Sequence, residues 1–200
     1  MQASLSDCVL ARWQPGFNDP YLTGWVMAGI YLLAAAAAGN LAVRAPFPAE
    51  TRRQERVFWG LSAVFLAGLA LNKQTDLQTL ILSAGRCAAQ AQGWFEHRRL
   101  VQRIAVYTLG AAALGGGAWL MWRLRRRLRH LGPALLGLSL TMGFVIARAA
   151  TLFHIEAEVL TLIVKTRWPA RIFEASGPLV MLGAALALMR PLLPRNRPAP

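Results

Sequence analysis

Long apolar runs alternate along this chain with short polar stretches, many of them rich in arginine. Five apolar-dominated segments, at about 22–43, 57–78, 102–122, 131–153 and 170–190, each come near the roughly 20 residues that cross about 30 Å of hydrocarbon as a helix. The pattern predicts an all-α fold: an integral membrane bundle of five transmembrane helices forming one domain over residues 1–190. The remaining residues, 191–200, are proline-broken and read as a flexible cytoplasmic tail. The runs "AAAAAGN" and "LGAAALGGGAW" read as packing surfaces, because small residues let helices approach closely in lipid. The three glycines at 115–117 are not a phosphate loop, since no strand precedes them and no Lys-Ser/Thr follows.

The second run breaks the regularity. "VFWGLSAVFLAGLAL" spans only residues 57–71, or about 22 Å of helix. To finish crossing, the helix has to continue through Asn72, Lys73 and Asp76, which places these groups in the outer leaflet. A charge there costs several kcal/mol unless it is paired or hydrated, so it is expected to face other helices or a cavity. Asn72 and Asp76 share a face, and Lys73 and Asp76, three apart, are spaced to pair. Gln74 and Gln78 repeat the four-residue spacing on an adjoining face. Apolar residues at 77, 80, 81, 84, 88 and 91 then predict an amphipathic outer arm along the membrane surface.

Composition agrees with a membrane chain. Hydrophobic residues make up 56% and charged residues only 16%, with a mean hydropathy of +0.38. The net charge of +13 raises the question of nucleic acid. The arginines, however, sit between apolar blocks with no aromatic interleaving and no binding module, so no nucleic-acid partner is expected. The stretches 44–56, 123–130 and 190–200 hold twelve of the 22 lysines and arginines in 32 residues. That denser side is assigned to the cytoplasm, which puts the N-terminus outside and the C-terminus inside. No cleaved signal peptide is evident at the N-terminus.

Other segments bring polar residues to the same outer level. Arg148 lies near the end of the fourth segment, followed by "TLFHIEAE" with His154 and Glu158 four apart. The fifth helix is expected to open at Pro169, which suits a first turn, and Arg171 and Glu174 follow. The stretch "QGWFEHRRLVQ" supplies Trp94, Glu96, His97, Arg98, Arg99 and Gln102. Arg98 and Arg99 oppose the dipole at a helix start and call for a carboxylate or phosphate partner. Seven of the nine acidic residues belong to this outer side, which makes it the main functional signal.

"LNKQTDLQT" and "AQGWFEHRRLVQ" together resemble a family of small bacterial integral membrane proteins without an established activity. The family pattern has an N-K-Q-x-D-L-Q-T stretch, a Q-G-W-aromatic-E-x-R-R-x-x-Q stretch and a later S-F-H-H-x-D. The resemblance covers about twenty residues closely and implies a multi-pass protein of the bacterial inner (plasma) membrane. In the third stretch Phe153 stands where the first of two histidines would be, and Glu156 replaces the aspartate. Some relatives carry the label of an isopropylmalate isomerase, but two cysteines cannot supply the three ligands of that enzyme's iron–sulfur cluster.

Two readings of the outer polar residues follow. In the first they line an outward-facing pocket for a lipid headgroup or small polar ligand. Asn72, Lys73, Gln74, Gln78, Trp94, His97, Arg98, Arg99, Gln102, Arg148, Arg171 and Glu174 would then be ligand-binding, and Asp76, Glu96, His154 and Glu158 the candidate catalytic groups. In the second they form a structural ion-pair network in a non-catalytic accessory subunit of a larger membrane complex. Membrane lipids are the expected partners, joined in the second reading by a membrane protein. Nothing in the sequence decides whether the chain is an enzyme. His97, His154 and Glu158 are weak metal candidates, too few to define a site, and no cofactor is implied. A transporter is disfavoured by the lack of an inverted repeat. Cys8 and Cys87 both fall outside, where oxidation is allowed; a disulfide tying the N-terminal segment to the arm stands beside the default of two unpaired thiols. Trp13, Trp25, Trp94 and Trp168 read as an outer interfacial belt, and Trp59, Trp119 and Trp122 as the inner one.

Overall fold

A computed structural model describes residues 4–14, 22–93, 95–124, 128–152 and 167–189, and among these all regular structure is helical. Seven α-helices run through the described residues in chain order: α1 (Leu5–Leu10), α2 (Leu22–Arg44), α3 (Arg52–Thr75), α4 (Leu77–Ala91), α5 (Arg98–Leu124), α6 (Leu128–Leu152) and α7 (Arg167–Met189). A 3₁₀ turn, Phe95–His97, leads into α5.

Local chemistry sets several of these ends. At α1, Ser4 and Asp7 form a capping box, with each side chain accepting from the other's backbone N–H at 3.2 Å. At the opposite end of the molecule the α2–α3 connection is tied by arginines. Arg52 donates to the Phe47 carbonyl at 3.3 Å and Arg56 to the Val43 carbonyl at 3.2 Å, which satisfies an acceptor in the last turn of α2 that the helix cannot. The Thr51 hydroxyl donates to the Glu55 carboxylate at 2.7 Å.

Helices α3, α2, α7 and α6 pack in that order, each against the next. Pairs α2/α3 and α6/α7 are antiparallel. A Cβ placed on Gly39 would lie 3.8 Å from that of Ala63, and one on Gly60 would lie 3.9 Å from that of Ala42. Alanines thus set the α2–α3 spacing, and the shared core runs through Tyr31, Ala38, Leu41, Trp59, Leu66, Leu131, Ala134, Met181 and Ala185. The α6–α7 crossing is closer still. A Cβ on Gly177 would meet the Thr141 nitrogen at 2.6 Å and the Gly137 carbonyl at 2.8 Å, so the two backbones are in direct contact and only glycine fits. The Thr141 hydroxyl turns back onto the Gly137 carbonyl at 2.9 Å. Helices α2 and α7 run parallel, with the Asn40 amide reaching the Met189 sulfur at 3.6 Å near their C-terminal ends. Helix α5 packs against α6 and leaves Leu100, Ile104, Tyr107, Trp119 and Trp122 exposed.

Three helical segments among the described residues are long and apolar enough to cross a membrane: Leu22–Arg44, Leu131–Ala149 and Pro169–Met189. Helices α3, with 24 residues, and α5, with 27, have the length, but charge clusters near their ends, Arg52, Arg53, Glu55 and Arg56 on α3 and Arg98, Arg99 and Arg103 on α5.

Several expectations are corrected. The second helix does not continue through Asp76: α3 stops at Thr75, and Asp76 adopts the left-handed conformation (φ 47°, ψ 49°) before α4 begins. It is the one non-glycine residue with positive φ among the described residues. Aspartate tolerates that conformation better than most side chains, and here its carboxylate accepts from the Thr79 hydroxyl at 2.6 Å. Trp59 is not an interfacial anchor but is 0% exposed inside the core. Cys8 and Cys87 are not free thiols; they form a disulfide with a Cα–Cα distance of 6.1 Å. The tail beyond Met189 lies outside the described residues.

Candidate functional site

The end of the bundle where α3 finishes and α7 begins gathers the polar side chains. Lys73, in the last turn of α3, donates to both carboxylate oxygens of Glu174 on α7, at 2.9 and 3.3 Å. The expected pairing of Lys73 with Asp76 is therefore not formed, because the helix break turns Asp76 toward Thr79. Glu174 is buried and Lys73 keeps 22% of its side-chain surface, so the carboxylate is the member that depends on its partner.

Pro178 adds to the local polarity. It sits inside α7 and has no N–H to offer the carbonyl of Glu174 one turn earlier. Phe173 beside Glu174 packs edge-on against Phe144 of α6, with ring centroids 5.8 Å apart, which fixes this turn of α7 against α6.

Two more helices enter the same region. Tyr31 of α2 is buried, and its phenol lies within electrostatic range of both Glu174 and Arg148. Lys73, Tyr31, Arg148 and Glu174 thus come from α3, α2, α6 and α7. The sequence reading did not single out Tyr31; its one signal is a tyrosine amid the alanines of α2. Arg148 is exposed and Arg171 half-buried, and each makes an interaction of its own.

Gln74 is the anomaly. It continues the buried face of α3 that runs through Ser62, Leu66 and Ala70 and is 7% exposed. Neither its amide nitrogen nor its amide oxygen has a hydrogen-bond partner. Buried amides in native proteins are almost always satisfied, and leaving one unpaired costs about 1–3 kcal/mol per group.

The remaining candidates divide by position. Asn72 is half-buried in the last turn of α3, and its carbonyl accepts from the Asp76 N–H at 3.0 Å. Gln78 lies in the first turn of α4, Glu96 and His97 in the 3₁₀ turn, and Arg98, Arg99 and Gln102 at the start of α5; Glu96 is exposed. Trp94, His154 and Glu158 lie outside the described residues. Among the described residues no three His, Cys, Asp or Glu side chains are grouped as metal ligands would be.

The N-terminal segment reaches this end as well. The Trp13 indole N–H donates to the Thr75 carbonyl at 3.0 Å, so Trp13 caps the end of α3. Helix α1 packs along α4.

The chain matches no family model, no curated protein and no solved structure. Fold and site define its class on their own: among the described residues it is all-helical, with three helices able to cross a membrane and a polar cluster at one end of the helix bundle.

Proposed function

We propose that this is a five-span protein of the bacterial inner membrane, of the kind the N-K-Q-x-D-L-Q-T and Q-G-W stretches suggest, whose outward polar cluster binds a lipid headgroup or small polar ligand. In this reading α3 and α5 complete the membrane crossing beside α2, α6 and α7. The N-terminus lies outside, where Cys8 and Cys87 meet an oxidising compartment, and Arg44, Arg52, Arg53 and Arg56 face the cytoplasm.

The observation that carries the binding reading is Gln74. An amide buried with two unpaired polar atoms, one residue from the Lys73–Glu174 pair, fits a site whose occupant supplies both a donor and an acceptor. Arg148 adds positive charge that suits an anionic group.

Native mass spectrometry of the gently solubilised protein tests this. Wild type is expected to retain a lipid or small polar molecule, and Gln74→Leu to lose it while remaining folded. Equal mass spectra for both proteins would reject the assignment.

A second reading is favoured by one specific feature, the direct 2.9 Å contact of Lys73 with Glu174. A pair that closes on itself is what a structural network in an accessory subunit requires. That reading expects a co-purifying membrane protein and no bound small molecule.

A further inference from the structure

The N-terminal segment grips both sides of one backbone hinge. The hinge is Asp76, where α3 gives way to α4 through a single left-handed residue. On the α3 side, the Trp13 indole holds the Thr75 carbonyl, the last of that helix. On the α4 side, Cys8 is bonded to Cys87, and α1 packs along the same helix. Six residues of chain therefore straddle the break, with Cys8 at one grip and Trp13 at the other. Between Cys8 and Trp13 the backbone is itself closed by Trp13 N–H to Val9 carbonyl at 2.9 Å and Arg12 N–H to the same carbonyl at 3.0 Å, so the span between the grips is compact.

We propose that Cys8–Cys87 is a redox-modification site acting as a clasp: oxidised, it locks the angle between α3 and α4; reduced, it frees α4 to pivot at Asp76. The inference goes beyond the binding reading and does not depend on it, although the turn being held is the one that carries Lys73 and Gln74.

The two sulfurs are unequal. Cys87 is 2% exposed, whereas Cys8 is half-buried, so an incoming thiolate reaches Cys8. A dithiol reductant attacks the Cys8 sulfur, the S–S bond breaks, and Cys87 leaves as a thiolate that takes a proton. The second thiol of the reductant then attacks its own sulfur in the mixed disulfide and releases Cys8. The protein disulfide gains two electrons and two protons, and the dithiol is oxidised to a disulfide. Without the covalent bond α1, six residues long, is too short to stay folded by itself, and the hold on α4 weakens with it.

Hydrogen exchange on the full chain in detergent or nanodiscs tests the clasp, comparing oxidised protein with protein reduced by dithiothreitol. Reduction is expected to accelerate exchange at least tenfold in 76–91 and to leave 131–149 and 171–189 unchanged. Trp13→Phe, with the disulfide intact, is expected to accelerate exchange only around 76–80. Because reduction acts on folded wild-type protein, the test does not depend on a cysteine variant folding; Cys8→Ser, where it folds, is expected to show the reduced pattern with no further effect of reductant. Unchanged exchange in 76–91 on reduction would overturn the proposal, as would alkylation of both cysteines in denatured, never-reduced protein. Acceleration spread over all helices would also overturn it, because the disulfide would then support the whole fold rather than one hinge.

Discussion

Lys73 and Glu174 stand 101 residues apart in sequence, and their side chains meet at 2.9 Å, joining the last turn of α3 to the first third of α7. The bond crosses between helices that do not otherwise pack closely on each other, since α2 lies between them in the packing order.

Removing one member of this pair is expected to cost more than removing both. Glu174→Leu or Lys73→Met alone should destabilise the protein by about 2 kcal/mol, below the 3–5 kcal/mol typical of fully buried pairs because Lys73 is part-exposed. The double variant should recover most of that loss. Thermal unfolding in detergent, arranged as a double-mutant cycle, measures the coupling; purely additive effects would show that the pair does not hold the helices together.

Gln74→Leu is expected to raise stability in delipidated protein, by about 1 kcal/mol, because it deletes two unpaired buried groups. A loss of stability in the same assay would mean that the amide is satisfied in solution.

Gly177→Ala should be among the most damaging substitutions in the chain. Its Cβ would press on the Thr141 nitrogen and the Gly137 carbonyl, backbone atoms that cannot yield without separating α6 from α7. Overpacking of this kind costs about 1–3 kcal/mol and sometimes more. Gly115→Ala, which meets nothing within 4 Å, is expected to be neutral or stabilising. Circular dichroism melts of the two variants side by side provide the comparison.

Asp76→Val is expected to cost about 1–2 kcal/mol, since a β-branched side chain resists the left-handed conformation, whereas Asp76→Asn should be tolerated. Equal melting temperatures for the two would indicate that α3 runs straight into α4.

The helical skeleton was legible because uninterrupted apolar runs of about 20 residues report helices long enough to span a bilayer. The segment expected at 22–43 corresponds to Leu22–Arg44, and that at 170–190 to Arg167–Met189. A helix over Leu77–Ala91 was readable too, from the spacing of Leu77, Leu80, Ile81 and Ala84. What failed were statements about partners. Sequence spacing exposes neighbours three or four residues apart, so Lys73 was matched with Asp76, while its real partner lies on another helix. The disulfide was undecidable for the same reason: two cysteines 79 residues apart carry no sign of whether their Cα atoms come within reach. Trp59 shows a third limit, since a tryptophan near a helix end looks the same in sequence whether it faces headgroups or alanines. Of the expected site residues, His154, Glu158 and Trp94 fall outside the described residues.

Arg52 and Arg56 stitch the α2–α3 turn to backbone carbonyls at one end of the molecule, while at the other end an ion pair ties α3 to α7, one indole ties the N-terminal segment to α3 and a reducible bond ties α1 to α4. The first end is thus held by bonds between residues close in sequence, the second by ties between segments 62 to 101 residues apart. Reduction of the disulfide is therefore expected to act at the second end and to be felt least at the arginine-bound turn.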